Sequence, residues 1–314
     1  GFGGGMVEVA IILEGLGRVL APEPYLPSVV LGGLALARAG AAEQHERWLA
    51  PMMEGRTALA LAYAERASRH QVDAPATVAE RDGGGWRLFG EKIFVLGGRQ
   101  AHQLVVSART PDGLGLFVVE ADGPGVERQP VRTIDGQGAA RLRLEGAAVG
   151  DEHRLGEPGA PALAVLQRVL DWGAAAAVAE GVGVAQTMLD MTVTLLKERE
   201  QFGVPIGTFQ VLQHRAVDMF VEVQLLRSAS ILATVRADEP DDELRQRSVS
   251  VAKAKLGSAG RFVAQQAIQL HGGIGITDEH DIGLYFKRMV ALDVMLGDEQ
   301  HHVERLAGLP GFAA

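Results

Sequence analysis

The sequence contains no cysteine in its 314 residues. This absence excludes disulfides, thiolate metal sites and cysteine nucleophiles, and it fits a reducing compartment, so we expect a cytoplasmic protein. The sequence also lacks an uncharged apolar run of roughly 18–20 residues, the length that crosses a membrane, and it does not open on a basic segment followed by an apolar one. We therefore expect no membrane partner, no export and no metal site.

An excess of positive charge is missing as well. Lysine and arginine number 30 against 39 aspartates and glutamates, which gives a formal net charge of -9. A nucleic-acid partner is disfavoured, because phosphate binding needs a basic surface. An anionic small ligand would instead need local arginines and helix N-termini. Hydrophobic residues are plentiful at 47%, enough for a large core and two or three structural units.

The chain opens on the run Gly1–Gly5 without an initiator methionine, so we expect that an earlier segment is missing. These glycines do not form the Gly-x-Gly-x-x-Gly loop of nicotinamide-dependent dehydrogenases. Met6 stands where the last glycine is required, and no strand–helix–strand alternation follows.

Hydrophobic periodicity divides the chain into three predicted domains. Residues 1–55 form a small helical domain, with apolar residues at helical spacing in its first helix. Residues 56–150 form a β domain, in which short apolar runs alternate with glycine-rich turns. Residues 151–314 return to long helical periodicity. The predicted fold class is α+β, with N-terminal helices, a central β-barrel-like domain and a C-terminal four-helix bundle.

Within these domains the elements can be placed approximately. We predict strands at 58–64, 86–89, 93–96, 104–108, 114–119 and 141–144, then a polar linker at 151–161. We predict helices at 6–20, 27–39, 42–53, 162–198, 210–237, 241–270 and 279–302. The bundle is interrupted at Gly203–Pro205 and at His271–Gly275, where the backbone could approach a ligand closely.

Two motifs in the predicted bundle carry a family resemblance. Residues 199–210 read Arg-Glu-Gln-Phe-Gly-Val-Pro-Ile-Gly-Thr-Phe-Gln, and residues 269–275 read Gln-Leu-His-Gly-Gly-Ile-Gly. They resemble the Arg-x-x-Phe-Gly-x-x-Ile-x-x-x-Gln junction and the Gln-x-x-Gly-Gly-x-Gly loop of the acyl-CoA dehydrogenase superfamily. Both occur in the family's order and are followed by Tyr285–Arg288, and the resemblance extends over nearly the whole chain.

The resemblance implies FAD as cofactor. Arg199 offers a permanently charged planar donor fork that suits a pyrophosphate, and the family implies that it and Gln201 reach the FAD of a neighbouring subunit. An alternative is that Arg199 only complements the dipole at a helix end. The implied cofactor-binding residues are Arg199, Gln201, Phe202, Gln210, Gln269, Leu270, His271, Gly272, Gly273 and Phe94.

The glycine loop has its own alternative interpretation, a plain helix cap and tight turn with His271 facing solvent. If it instead serves a cofactor, Gly272 or Gly273 should have a positive φ or make backbone contact with the ligand. Gln210 resembles the family's adenine-side contact, whereas Phe209 is more typical of packing.

In the β domain, Gly90–Leu96 resembles the family's Gly-x-Lys-x-Trp-Ile-Thr strand, which lies against the flavin ring. Phe94 replaces the tryptophan, and Leu96 replaces the threonine whose hydroxyl would bond the ring. Phe94 fits the strand core equally well. Upstream, Leu61–Arg66 lies where the family shows Tyr-x-x-Thr-Glu-Pro before Gly-Ser, and the threonine, the proline and the Gly-Ser pair are missing.

A catalytic base is harder to find. Removing an α-proton from an acyl thioester needs a carboxylate held beside the flavin. The resemblance puts Leu296 at the family's usual glutamate position, Gly173 at its second base position, and Ala174 where a substrate-contacting arginine often stands. The remaining candidates are Asp298, Glu299 and Asp171. Asp298 also suits a helix cap or a flavin contact like that of the family's threonine, and Asp171 also suits an N-cap.

Two functions remain open at this point. One is an FAD-dependent acyl-CoA dehydrogenase that performs α,β-dehydrogenation of an acyl-CoA thioester, with Asp298 as the candidate base. The other is a non-catalytic subunit that completes the FAD site of a heteromeric acyl-CoA dehydrogenase, as in the mixed tetramers that act on bulky steroid-like acyl chains. The implied partners are an acyl-CoA substrate, an acceptor like electron-transfer flavoprotein, and further subunits in a homo- or hetero-oligomer, a dimer or tetramer.

Overall fold

A computed structural model describes residues 3–68 and 70–310. These residues form two compact units, one of residues 3–22 and 174–310 and the other of residues 23–68 and 70–173. The first unit begins with helix α1 (Met6–Val19). Leu20 ends this helix in the left-handed conformation, before Pro22.

Short helices open the second unit. A π-helical segment, Tyr25–Gly33, continues into α2 (Leu34–Ala39), and α3 (Ala42–Gln44) is joined to α4 (Ala50–Met53) by a second such segment, His45–Leu49. The two predicted helices of this region are thus confirmed. Gly32 is needed here, because a Cβ atom on it would lie 2.7 Å from the Leu59 side chain.

The rest of the second unit is an eight-stranded sheet with the strand order β6-β7-β3-β2-β4-β5-β8, and β1 pairs parallel with β4. Its strands are β1 (Leu59–Ala62), β2 (Val78–Asp82), β3 (Gly85–Leu96), β4 (Gln103–Thr110), β5 (Gly113–Glu120), β6 (Val126–Val131), β7 (Ala139–Gly150) and β8 (Arg154–Leu155). Buried residues of these strands, with Trp86 and Phe117 among the largest, form the core of this unit.

Three strands of this unit, β2, β6 and the two-residue β8, had no counterpart in the sequence prediction, and the first two are the longer ones. Strand β2 reads Val-Ala-Glu-Arg-Asp and β6 reads Val-Glu-Arg-Gln-Pro-Val, and most of their side chains are exposed or half-buried. The predicted runs 86–89 and 93–96 belong to one strand, β3, whose pairing with β7 shifts register twice. The segment 151–161, predicted as a linker, includes a short 3₁₀ turn and β8.

Long helices make up the remainder of the first unit. Helix α5 (Ala160–Glu198) begins in the second unit and continues into the first; α6 (Gln210–Arg236), α7 (Asp242–Lys255), α8 (Arg261–His271), α9 (Ile282–Val294) and α10 (Glu299–Ala307) follow. Helices α7 and α8 are joined by a π-helical segment, Leu256–Gly260, close to the single helix that was predicted. The single helix predicted at 279–302 is wrong, because it breaks at residues 295–298. The α+β class, with helices before and after a β domain, is confirmed.

Close backbone contacts and one buried ion pair hold the first unit together. A Cβ atom on Gly17 would collide with the Glu180 carbonyl, and one on Gly183 with the Glu14 carbonyl, so α1 and α5 can pack tightly only with glycine at both places. Arg288 of α9 donates two hydrogen bonds to the Glu180 carboxylate, 2.7 and 2.8 Å long, with both side chains buried.

Helix α5 is long and apolar enough to cross a membrane, by length and composition alone. Its most apolar stretch of 18 residues is 67% buried inside the protein, however. Within the described residues the helix therefore has the character of a core helix.

Candidate functional site

The glycine loop follows helix α8 as a 3₁₀ turn, Gly272–Ile276. Gly272 has φ +66°, which confirms that one of the two leading glycines adopts a positive φ. A Cβ atom on Gly273 would find no protein atom within 4 Å, and both glycines are exposed. At these two glycines the backbone of the loop is therefore accessible to a bound molecule or a neighbouring chain.

The third glycine of the loop has a different role. A Cβ atom on Gly275 would lie 2.8 Å from the Ile268 carbonyl oxygen and 2.9 Å from the His271 side chain. Gly275 is buried and lets the loop fold back onto α8. It is needed for packing, whereas Gly273 is not.

Arg199 lies one residue beyond the end of α5 and is exposed. Its Nη1 donates to the carbonyl of His271, 3.4 Å away, so the two sequence motifs meet in space although 72 residues separate them. Among the residues that the structure describes, no carboxylate forms an ion pair with this guanidinium. Its charge and most of its donors can therefore serve an anionic ligand.

After Arg199 the chain forms a small hairpin, in which β9 (Glu200–Gln201) pairs antiparallel with β10 (Val204–Pro205). The turn residues Phe202 and Gly203 have φ values of +55° and +77°, the pattern of a type I′ turn. The Phe202 ring is 91% exposed, with the Phe209 ring 6.0 Å away in an edge-on contact. A fully exposed aromatic ring on strained backbone indicates a contact outside this chain.

The glutamines of the two motifs are all exposed. Gln201 donates to the Glu200 carbonyl at 2.7 Å, and Gln210 is the first residue of α6. Gln269 lies on the last turn of α8. Leu270 beside it is buried, so it serves packing.

The alternative interpretation that His271 faces solvent is wrong. Its side chain is 1% exposed, and its Nδ1 donates to the Ala267 carbonyl at 2.8 Å. Burial lowers the pKa of His271, and the neighbouring His280 lowers it further. His271 is therefore a neutral residue at the base of the loop.

In the other unit, Phe94 is not a core residue. It has φ +53° and is 46% exposed, at a point where β3 shifts register against β7. The strand-core interpretation is therefore wrong. The irregular backbone turns the ring out of the sheet while Val95 beside it stays buried.

Two residues before Phe94 on the strand, Lys92 forms a buried ion pair with Glu65. Its Nζ donates to Glu65 Oε1 at 2.7 Å and to Ser107 Oγ at 3.0 Å. Burial lowers the pKa of Lys92 to about 8, against the attraction of Glu65. Burial raises the pKa of Glu65, but Lys92 and the hydrogen bonds from Thr77 outweigh it and leave that pKa below its ordinary value. The family resemblance drew attention to the segments Leu61–Arg66 and Gly90–Leu96, but the ion pair between Lys92 and Glu65 was not predicted.

Positive φ angles mark the predicted site independently of any motif. Among the described residues other than glycine, only Leu20, Phe94, Phe202 and Leu296 have them. Leu20 ends a helix; the other three lie at positions that the resemblance assigns to the cofactor or the base. Such strained residues concentrate at functional sites.

Leu296 lies in the turn that separates α9 from α10, with φ +59°, and Gly297 follows with φ +100°. Two buried side chains hold this turn. Lys253 Nζ donates to the carbonyls of Asp293 and Gly297, both at 2.7 Å, and His302 Nε2 donates to the Leu296 carbonyl at 3.0 Å. We call residues 293–298 with Lys253 and His302 the clamped turn.

The charges of the clamped turn follow from burial. Burial lowers the pKa of Lys253 to about 8, against the attraction of Asp293 and Asp298. Burial, together with the charge of Lys253, lowers the pKa of His302 to about 2. His302 is therefore neutral, and its Nδ1 accepts from Ser250 Oγ at 3.2 Å.

None of the three candidate bases is held as a base at this turn. Asp298 is the N-cap of α10, and its carboxylate accepts from the His301 amide at 2.9 Å. Glu299 pairs with Arg261 at 3.1 Å. Asp171 is buried in the middle of α5, so the suggestion that it caps a helix is wrong. Gly173 is also inside α5.

The chemistry of the site fits a dinucleotide. Among the described residues Arg199 has no carboxylate partner, the exposed glycines Gly272 and Gly273 leave room for close backbone approach, and the aromatic ring of Phe202 is exposed in the same unit. A pyrophosphate needs the first two features, and flat rings pack against the third. The sequence analysis did not predict the roles of Lys253 and His302. Their occurrence as polar residues within apolar helical patterns was the signal that could have indicated buried polar contacts.

Comparison with known proteins finds relatives over nearly the whole chain. The family models described as acyl-CoA dehydrogenase N-terminal, middle and C-terminal domains match residues 1–56, 60–147 and 163–308. The acyl-CoA dehydrogenase FadE27 of Mycobacterium tuberculosis is 32% identical over 98% of this chain and 81% of its own length. The mitochondrial short-chain specific acyl-CoA dehydrogenase of Homo sapiens is 28% identical over 86% of this chain and 67% of its own length.

Solved structures give the same result. The ChsE4-ChsE5 complex from Mycobacterium tuberculosis contains a chain with a TM-score of 0.88 and 31% identity, over 98% of this chain and 81% of that one. A variant of the Tcur3481-Tcur3483 steroid acyl-CoA dehydrogenase contains a chain with a TM-score of 0.86 and 35% identity, over 96% of this chain and 80% of that one.

Proposed function

Because the chain belongs to the acyl-CoA dehydrogenase family, whose members are FAD-dependent flavoproteins, we propose that it is the FAD-site-completing subunit of a heteromeric acyl-CoA dehydrogenase. The family makes it a flavin oxidoreductase of the acyl-CoA dehydrogenase type. The proposal concerns how the work is divided between subunits: this chain supplies cofactor contacts, and a related chain supplies the base.

The clamped turn carries this proposal. At the position where the family places its glutamate stands Leu296, which cannot accept a proton. The turn around it is nevertheless ordered by Lys253 and His302, so the missing base is not the result of a disordered loop. A positioned base contributes about 10²–10⁴-fold to a proton-transfer rate.

The residues of this chain then have distinct roles. When bound, FAD accepts hydride from the β-carbon of an acyl thioester. Arg199 binds the pyrophosphate and offsets its charge, while Gly272 and Gly273 let backbone approach it. Phe94 and Phe202 present exposed rings to the cofactor or to the neighbouring subunit. Leu296 adds an apolar surface where a base would otherwise stand.

The substrate proposed for the complex is a bulky, steroid-like acyl-CoA. Support comes from the Tcur3481-Tcur3483 protein, which is named as a steroid acyl-CoA dehydrogenase. Further support is that this protein and the ChsE4-ChsE5 complex are each named by two components. An acceptor like electron-transfer flavoprotein would reoxidise the cofactor.

A homomeric, active acyl-CoA dehydrogenase is the second candidate. The observation in its favour is Asp298, which is exposed and is the last residue of the clamped turn. Its capping bond to the His301 amide opposes a role as base, because the carboxylate must leave that bond to reach a substrate.

The proposal is tested by FAD content and oligomeric state. Purify the chain alone, and again together with a family member that carries a carboxylate at the position of Leu296 or Gly173. Native mass spectrometry should show a stable mixed oligomer with bound FAD. A homo-oligomer that binds a full complement of FAD and ignores the second chain would contradict the heteromeric assignment.

A further inference from the structure

One residue joins the two cofactor motifs. The backbone carbonyl of His271 accepts a hydrogen bond from Arg199 Nη1, and the His271 ring donates through Nδ1 to the Ala267 carbonyl at 2.8 Å. Gly272 follows His271 directly and has φ +66°. The orientation of its peptide group therefore sets both the start of the glycine loop and a contact of the Arg199 guanidinium. Whatever holds the His271 ring affects both motifs.

The His271 ring is backed by His280. The two ring centroids are 4.6 Å apart with an interplanar angle of 64°, an edge-to-face contact. His280 Nδ1 accepts from the Ile282 amide at 3.1 Å, which fixes its ring at the start of α9. The loop between them is short, and Thr277 Oγ1 donates to the Ile274 carbonyl at 2.8 Å within it.

The hydrogen-bond partners of the two Nδ1 atoms differ. His271 donates through Nδ1 to a carbonyl, so in the neutral ring its Nε2 carries a lone pair. His280 accepts through Nδ1, so its proton is on Nε2. Each ring is thus held by a hydrogen bond of its own Nδ1 atom, and the two rings meet edge to face.

We propose that His280 is a positioning residue for the FAD pyrophosphate site: through the His271 ring it fixes the glycine loop and the Arg199 guanidinium together. His280 does not itself touch the cofactor. The inference rests on the proposed FAD site at Arg199 and Gly272–Gly273, and it assigns a role to a residue outside both motifs.

Two substitutions separate the two contacts of His280. His280→Phe keeps an aromatic ring against His271 and loses the acceptor for the Ile282 amide. His280→Asn keeps a short acceptor and loses the ring, and His280→Ala loses both. Thermal unfolding of each variant controls for loss of the fold.

Hydrogen exchange followed by mass spectrometry is the first measurement, on the whole chain without added ligand. His280→Ala should speed exchange about tenfold in residues 272–277 and also in the hairpin 200–205, which is remote in sequence. A tenfold faster exchange corresponds to the loss of one aromatic pair. His280→Phe should restore both segments, and His280→Asn neither. Faster exchange confined to residues 281–284, rescued by Asn and not by Phe, would show that His280 is only a helix cap.

FAD affinity is the second measurement, by quenching of flavin fluorescence. His280→Ala should weaken binding about tenfold, with Phe rescuing and Asn not. Arg199→Ala in the same assay tests the site itself. If Arg199→Ala leaves affinity unchanged, the proposed FAD site fails; if it weakens binding and His280→Ala does not, only the role of His280 is overturned.

Discussion

Two turns in the same helical unit each contain a glycine with a positive φ, Gly272 and Gly297, but differ in their surroundings. The loop after α8 begins Gly272-Gly273, is exposed, and leaves open space around Gly273. The turn after α9 reads Leu296-Gly297 and is filled by its own chain, since Lys253 and His302 bond its carbonyls. The exposed loop can offer backbone polar groups to a ligand. In the turn after α9, the carbonyls already accept hydrogen bonds from Lys253 and His302. The comparison supports the proposal that this chain contributes cofactor contacts and that the base comes from a related chain.

Adding a side chain to each turn should give the largest difference in stability between the two turns. A Cβ atom on Gly297, at φ +100°, would lie 2.9 Å from His302 Nε2 and closer still to His301, so Gly297→Val should lower the free energy of unfolding by about 3 kcal/mol. Gly273→Val is the matched control and should leave unfolding nearly unchanged while it reduces FAD binding. Denaturant unfolding and flavin content measure the two effects. Equal destabilisation by both substitutions would remove the distinction.

Arg199→Ala should weaken FAD binding by about tenfold to a hundredfold, the range for losing a hydrogen bond to a charged group. The fold should be retained, because Arg199 is exposed and pairs with no carboxylate in the described residues. Flavin occupancy and circular dichroism check the two parts. Arg199→Lys should be intermediate, since a lysine keeps the charge and loses the planar fork. Full occupancy in the alanine variant would count against the assignment.

The clamped turn should also make stability depend on pH. Burial holds the pKa of His302 at about 2, against 6.5 for the free side chain. The unfolded state therefore gains a proton below pH 6.5 that the folded state does not, so the neutral histidine favours folding above that pH and opposes it below. At pH 5 the loss is about 2 kcal/mol. Thermal unfolding between pH 7.5 and 5 should show it.

His302→Gln is the control for this dependence. Glutamine can still donate an N–H to the Leu296 carbonyl but does not titrate in this range. The variant should be less stable at pH 7.5 and lose less stability on acidification. If the wild-type protein and the variant lose stability in parallel, His302 is not the titrating group.

Much of the fold follows from local patterns in the sequence. The long helices were predicted to within a few residues, because apolar spacing and glycine or proline stops act locally. Strands β2 and β6 were missed since their exposed, charged side chains show little alternation. The break at residues 295–298 was missed because Lys253, distant in sequence, stabilises it. Asp298 as an N-cap was the one local signal there.

The candidate site was predictable in composition but not in arrangement. The motifs pointed to Arg199 and the glycine loop, yet the contact between Arg199 and His271 depends on tertiary packing. Only the alternatives that placed His271 in solvent and Phe94 in the strand core are wrong; they arose because a turn residue in a glycine-rich loop suggests solvent and an aromatic residue in a strand suggests the core. Backbone strain at Phe94 has no signature in sequence.

The most direct test of the central claim is an anaerobic titration of the isolated, flavin-loaded chain with steroid-like and straight-chain acyl-CoAs, followed by the flavin absorbance. Because Leu296 and Gly173 cannot accept a proton and Asp298 caps a helix, we predict no bleaching until a family member with a carboxylate base is added. Asp298→Asn should then change nothing. Rapid bleaching by the isolated chain, abolished in the Asp298→Asn variant, would contradict the account and make Asp298 the base.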